Sequence, residues 1–281
     1  MSRPRTHAER LASTDGYFAP DSVIRRLGTS PVVPFLGGGA AVLLQVAHPL
    51  VAAGIADHSS YHRDLWRRLG GTLRALYLTT FGTRAEADAA AAHVRSVHAR
   101  VRGRTRTPLG RFPPGTPYSA EDPELTLWVH ATLVEASLAA YQRFERPLLP
   151  SEQERYYRDM AVLAELFGTP RRVIPPTLAA FREYVAAELA GDTIVVTPPA
   201  REIAAVIMQA PFPAPMRLLT PAHRLATAAL LPERLRREYG LRWTPLHELA
   251  LPLAVRSFKL AAWPVVHAAA RLSPPLDRAA A

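Results

Sequence analysis

TRAEADAAAAHVRSVHARVRG, residues 83–103, is the stretch whose reading decides the fold class. Thr83 is followed three residues later by Glu86, the spacing of a capping box at a helix start. The pattern then predicts a helix to about Arg102, closed by Gly103. At about 100° per residue, Ala91, Val94 and Val101 form an apolar stripe beside His98. Arg95 and Arg102 lie within about 60° of His98 on its other flank. The imidazole therefore stands at the border between an apolar wall and two guanidinium groups. Two readings are open: a half-buried histidine bonded to a backbone carbonyl, or a ligand to something bound.

The same helical period runs outward in both directions. Before it, "LWRRLGGTLRALYLTTFG" gives a helix over about 63–81, with Gly82 as a left-handed cap. Further upstream, LGGG at 36–39 precedes "AAVLLQVA", which breaks at His48-Pro49 and restarts to about Ala56. After it comes a basic loop rich in proline and glycine over 103–121, then a helix from Asp122-Pro123 to about Arg146. A second capping box, SEQE at 151–154, opens a helix ending at Gly168. Further helices are expected over 175–190, 199–209, 221–239 and 246–271. TIVV at 193–196 is the only short β-branched run of note. The expectation is an all-α, single multi-helix domain over residues 1–281, its core spanning about 15–260.

Composition narrows the function classes. Hydrophobic residues make up 48% and charged residues 21%, which suits a globular chain and excludes a disordered one. Cysteine is absent, so disulfide and thiolate chemistry are excluded. The net charge is +10, yet of 34 basic residues only Lys259 is lysine, and arginine is spread along nearly every segment. No nucleic-acid partner is expected, because such readers cluster their charge and interleave aromatics; weak peripheral attraction to anionic lipid fits at least as well. The N-terminus lacks the apolar core of a signal peptide, so the expected compartment is the cytoplasm. The apolar run from Ala40 to Ile55 is too short and too broken for a membrane span and is expected to be a buried helix pair, or at most an interfacial one.

A flat apolar cofactor with carboxylates at one edge suits the border where His98 stands. Haem is such a molecule, since imidazole ligates iron and arginine pairs with propionates. On the preceding helix, Arg68 and Thr72 are four apart and can address one pocket. Gly70 and Gly71 sit mid-helix at a cost of roughly 1 kcal/mol each, which points to close approach of a neighbouring helix or of a ligand. His48, with Gln45, either lines that pocket or caps the second helix piece. His130 shares a polar stripe with Thr126, Ser137 and Tyr141, and either lines a substrate cavity or bonds between helices. His58 and His62, with Asp57 and Asp64 near, have metal spacing or form a solvated turn. Other chemistries lack their signatures: there is no Glu-x-x-His pair, no Gly-x-Ser-x-Gly elbow, and no strand before GGGA.

Taken in order, LLQVAHPLVAAGIADHS, Arg68-x-x-x-Thr72, VRSVHARVRG and YSAEDPELTLWVHATLV resemble the MpaB-type oxygenase family, which includes the rubber-cleaving latex clearing proteins. The resemblance covers about residues 15–260. It implies a b-type haem in a globin-like helical core, with His98 as the proximal iron ligand and Arg68 and Thr72 in the pocket. Arg95 and Arg102 would then steady the propionates. It also implies dioxygen and a small apolar, unsaturated substrate as partners, with oxidative cleavage of a C=C bond. One departure stands out: some latex clearing proteins carry a lysine just before that threonine, able to close the distal side of the iron, and here the position is Gly71. With no export signal, rubber itself is not the expected substrate. The alternative is a non-catalytic haem or isoprenoid-binding protein at membrane surfaces.

Overall fold

The computed structural model describes residues 6–58, 61–209 and 216–272, without the side chains of residues 8, 61–68, 216 and 262–272. Among these, α-helices follow one another along almost the whole chain: α1 (His7–Leu11), α2 (Val23–Thr29), α3 (Gly38–Val46), α4 (Pro49–His58), α5 (Tyr61–Phe81), α6 (Arg84–His98), α7 (Pro123–Phe144), α8 (Pro150–Leu166), α9 (Leu178–Ala190), α10 (Pro198–Gln209), α11 (Thr220–Leu230), α12 (Glu233–Glu238) and α13 (Pro245–Leu272). A π-helical turn, Val33–Gly37, leads into α3. One short antiparallel hairpin, β1 (Arg102–Arg104) and β2 (Pro117–Ser119), pairs Gly103 with Tyr118.

The centre is α7 packed on α3. Helix α7 is buried on nearly every side, from Leu125 and Trp128 to Tyr141 and Phe144, which is what an apolar-all-round helix requires. The Trp128 indole N–H donates to the Leu44 carbonyl at 3.2 Å. The LGGG stretch lies where two other helices pass close to it. A Cβ on Gly37 would stand 2.8 Å from the Ala140 Cβ, and one on Gly39 would run into the Thr227 hydroxyl and stand 2.9 Å from the His223 ring. Glycine here is a packing requirement. The apolar clusters share Leu133, Leu189 and Leu230 at their borders, so they form one continuous core.

Several boundaries differ from the sequence expectation for identifiable reasons. Helix α6 stops at His98, and Arg102 lies in β1 rather than one turn further along the helix. The loop beyond it therefore carries a hairpin. The second capping box is shifted: Pro150 takes the first helical position, and it is Glu152 that accepts from the Leu149 N–H at 2.9 Å. The 221–239 segment is two helices, because Pro232 interrupts it. TIVV forms no strand, and its Val195 N–H donates to Ala47 O at 2.8 Å. Gly82 ends α5 without positive φ, whereas Gly168 adopts φ 102° after α8. The Ala40–Ile55 run is the bent, buried pair α3–α4. No single described helix is long and apolar enough to cross a membrane; the bent pair α2 and Val33–Val46 passes by length and composition together.

Candidate functional site

Helices α5 and α6 form an antiparallel pair joined at Gly82-Thr83. The capping box closes the joint: the Glu86 N–H donates to Thr83 Oγ1 at 3.2 Å and the Thr83 N–H to Glu86 Oε2 at 2.9 Å. Counting back from Phe81 to Arg68 and forward from Arg84 to His98 gives nearly equal runs, each about 20 Å at 1.5 Å per residue. Topology thus sets His98 level with the Arg68 backbone, and Thr72 one turn nearer the joint. The Arg68 side chain lies outside the described residues.

Along α6, Ala87 and Ala91 are buried, and Val94 and His98 are half-buried. The open ends of the two helices are less covered. Gly70, Gly71, Thr72 and Leu73 are all exposed, a full helical turn without a covered side. Among the described residues nothing lies within 4 Å of a Cβ built on Gly70 or Gly71. Of the two sequence readings of these glycines, close packing of a neighbouring helix is therefore not the one observed. Leu73 and Val97 add large apolar side chains, 39% and 37% exposed.

The surroundings of His98 come from three directions. Its carbonyl accepts from the Val101 N–H at 2.9 Å as α6 ends. Val101 then turns back onto α4, its Cγ1 3.5 Å from a Cβ built on Gly54. The end of α4 meets the same place: His58 Nε2 lies 3.0 Å from Arg102 O, and the Tyr118 hydroxyl donates to Asp57 at 2.6 Å. Burial and the neighbouring Asp57 push the Tyr118 pKa well up. His58 and Asp57 are thus engaged in the fold. Their possible metal partners His62 and Asp64 have side chains outside the described set, and among the described residues no group of three acidic or histidine side chains is spaced for a metal.

The two arginines separate. Arg102 is exposed on β1, close in sequence to His98. Arg95 donates to the Leu166 carbonyl and packs its methylenes at 3.4 Å from a Cβ built on Gly168, so it caps the end of α8. A propionate role for Arg95 requires it to leave that contact.

The other predicted residues lie deeper. His48 is buried, accepts from the Leu50 N–H at 3.2 Å and lies tilted against Phe112, ring centres 5.7 Å apart. Burial, reinforced by the Arg111 cation, lowers its pKa to about 4. This is the capping role, with half-buried Gln45 supplying its carbonyl to the His48 N–H at 3.2 Å. His130 is fully enclosed, its Nε2 has no hydrogen-bond partner, and burial lowers its pKa to about 4. An interhelical hydrogen bond at Nε2 is not formed. On the same helix Thr126 bonds back to Pro123 O at 3.1 Å. Sequence reading missed Glu135, which lines a cavity of about 70 Å³ with Leu44, Trp128, Thr132 and Val185, and whose carboxyl pKa burial raises. Its period, seven after Trp128, was a usable signal.

These residues fit haem in part. The fit rests on one imidazole at the edge of the core, a level turn of α5 opened by two glycines, exposed apolar side chains on both helices, and an exposed guanidinium at Arg102. Arg95 does not fit without moving, and the 70 Å³ cavity beside Glu135 is too small for a macrocycle.

The comparisons bear on the same segment. The chain matches the family described as ER-bound oxygenase mpaB/B'/rubber oxygenase, catalytic domain, over residues 25–265. It is 28% identical over 211 residues to the uncharacterized protein Mb2261 of Mycobacterium bovis and, to the same extent, to the uncharacterized protein Rv2237 of Mycobacterium tuberculosis. Each alignment covers 73% of this chain and 79% of the relative. No solved structure matches. With nearly the whole helical core inside the matched span, His98 and α5 included, the chain belongs to the mpaB/rubber oxygenase catalytic-domain family.

Proposed function

We propose that this oxygenase-family chain binds haem b through His98 and uses dioxygen on a small apolar, unsaturated substrate, with cleavage of a carbon–carbon double bond. The observation that carries the reading is the pairing of half-buried His98 with the exposed, glycine-opened turn of α5 at nearly the same height. Haem, when bound, supplies dioxygen activation at ferrous iron. The remaining work falls to the chain. A ring nitrogen of His98 holds the iron, and Arg102 pairs with a propionate. Thr72 offers its exposed hydroxyl as a donor on the α5 side, and Arg68 is the cation of the same helix. Leu73 and Val97 supply apolar walls that keep water from the reacting carbons. Gly71 leaves the space open where a lysine side chain would close it.

Oxygen uptake by the haem-loaded protein, offered a short isoprenoid oligomer, tests the proposal. Substrate-dependent uptake with carbonyl products is expected, reduced at least about tenfold in Thr72→Val by loss of a positioned donor. Haem binding with no substrate-dependent uptake across saturated and unsaturated chains would leave a haem carrier as the better reading.

A further inference from the structure

Helix α13 is apolar on two opposite sides. At about 100° per residue, Leu251, Val255 and Phe258 project together, and they are buried against Leu219, Ala222 and Ala226 of the neighbouring turn and α11. Leu246, Leu249, Leu253 and Leu260 project within about 60° of one another on the other side. That second side is uncovered, with the four leucines 69–77% exposed. Arg143 bonds both Ala229 O and Glu248, each at 2.8 Å, so the end of α11 meets the start of α13 and the two run antiparallel. The turn before α11 therefore lies level with Leu260, and Leu218 in it is 86% exposed.

Charge and area indicate what covers this side. Arg256 projects at the edge of the leucine arc, about 20° outside it, and from Leu249 to Leu272 the helix carries no Asp or Glu. Arg217 and Arg224 are exposed on the adjoining turn and α11. The chain as a whole is +10. The four leucines present on the order of 500 Å², the size of a functional patch on a monomer, and short of the ~800 Å² per partner that a stable dimer buries. A leucine-faced, cationic helix whose one acid, Glu248, is paired with Arg143 at its first turn has the pattern of a helix lying in a lipid interface. We propose that α13 docks this face on an anionic bilayer surface, its leucines entering the acyl boundary and Arg256 meeting lipid phosphates. The inference is independent of what His98 holds.

Flotation of the full-length protein with phosphatidylcholine vesicles, with and without phosphatidylglycerol, tests it. The wild type is expected to float with the anionic vesicles and much less with the neutral ones. Leu249→Gln/Leu253→Gln should weaken binding at least about tenfold with unchanged helical circular dichroism. Arg256→Gln, a milder change, should weaken binding to anionic vesicles alone and blunt its salt dependence. Failure of the wild type to float, or equal flotation of the double variant and Arg256→Gln with the wild type, would overturn the proposal. So would a wild-type dimer in solution that the double variant dissociates, since the face would then belong to a second copy.

Discussion

Two glycine-rich stretches of this molecule answer to opposite constraints. At LGGG the missing side chains are filled by neighbours: α7 and α11 pass so close to Gly37 and Gly39 that a methyl group has no room. At Gly70-Gly71 the missing side chains meet no neighbour among the described residues, and the whole turn to Leu73 is exposed. The first pair of contacts builds the core. The second weakens a helix by about 1 kcal/mol per residue with no return in packing among the described residues. A glycine that no neighbour demands, one helix away from a half-buried histidine, is what a bound ligand would require. The comparison teaches that the two stretches, alike in composition, differ in what they are for.

The sharpest way to break that contrast is by substitution at both places. Gly39→Val should cost about 3 kcal/mol or more, read as a fall in denaturant midpoint, because overpacking there displaces buried Thr227 and His223. A smaller effect separates the core from the open turn of α5 by pH. His48 and His130 belong to the buried side, and burial lowers both to about 4, below the 6.5 of an exposed imidazole. The fold favours their neutral forms, so their contribution is complete above pH 6.5 and is lost as pH falls toward 4. Urea titrations over that window should show stability dropping by about 1–3 kcal/mol per histidine, and His48→Asn should flatten part of the slope. Glu152 adds a later acid step. Its hydrogen bond from Arg146 at 3.0 Å, then those from the Leu149 N–H and Arg26, hold it at about 2. Its contribution is present above the ordinary carboxylate range and lost as pH falls toward 2, a step that Glu152→Gln should abolish. The smallest effect is on α5: Gly70→Ala should raise the thermal midpoint by the equivalent of about 1 kcal/mol in haem-free protein, while weakening haem retention. A Gly70→Ala variant that is destabilised without haem would show the turn to be packed after all.

Much of this was legible in the sequence. The 3.6-residue period, the Thr83/Glu86 box and the break at His48-Pro49 sufficed for the helical core and for α5–α6, because those signals are local. The end of α6 was not legible. His98-Ala99-Arg100-Val101 continues the helical pattern, and the chain leaves it only because Val101 finds α4 and Gly103 finds Tyr118, contacts distant in sequence. That exit moved Arg102 off the helix, and contact with α8 drew Arg95 toward Leu166. The exposed side of α13 was hidden for a different reason. A helix apolar on two faces reads as buried until the tertiary structure shows that only one face is covered.

The central claim is that His98 holds haem at the open end of the α5–α6 pair. The direct measurement is the absorption spectrum of the protein titrated with haemin, beside His98→Ala. The account requires a stoichiometric Soret band that His98→Ala abolishes or shifts, with the variant's helical circular dichroism unchanged, since the residue is half-buried at a helix end. A wild type that takes up no haemin, or a variant whose band is the same, would contradict it and return His98 to an ordinary place at the edge of the core.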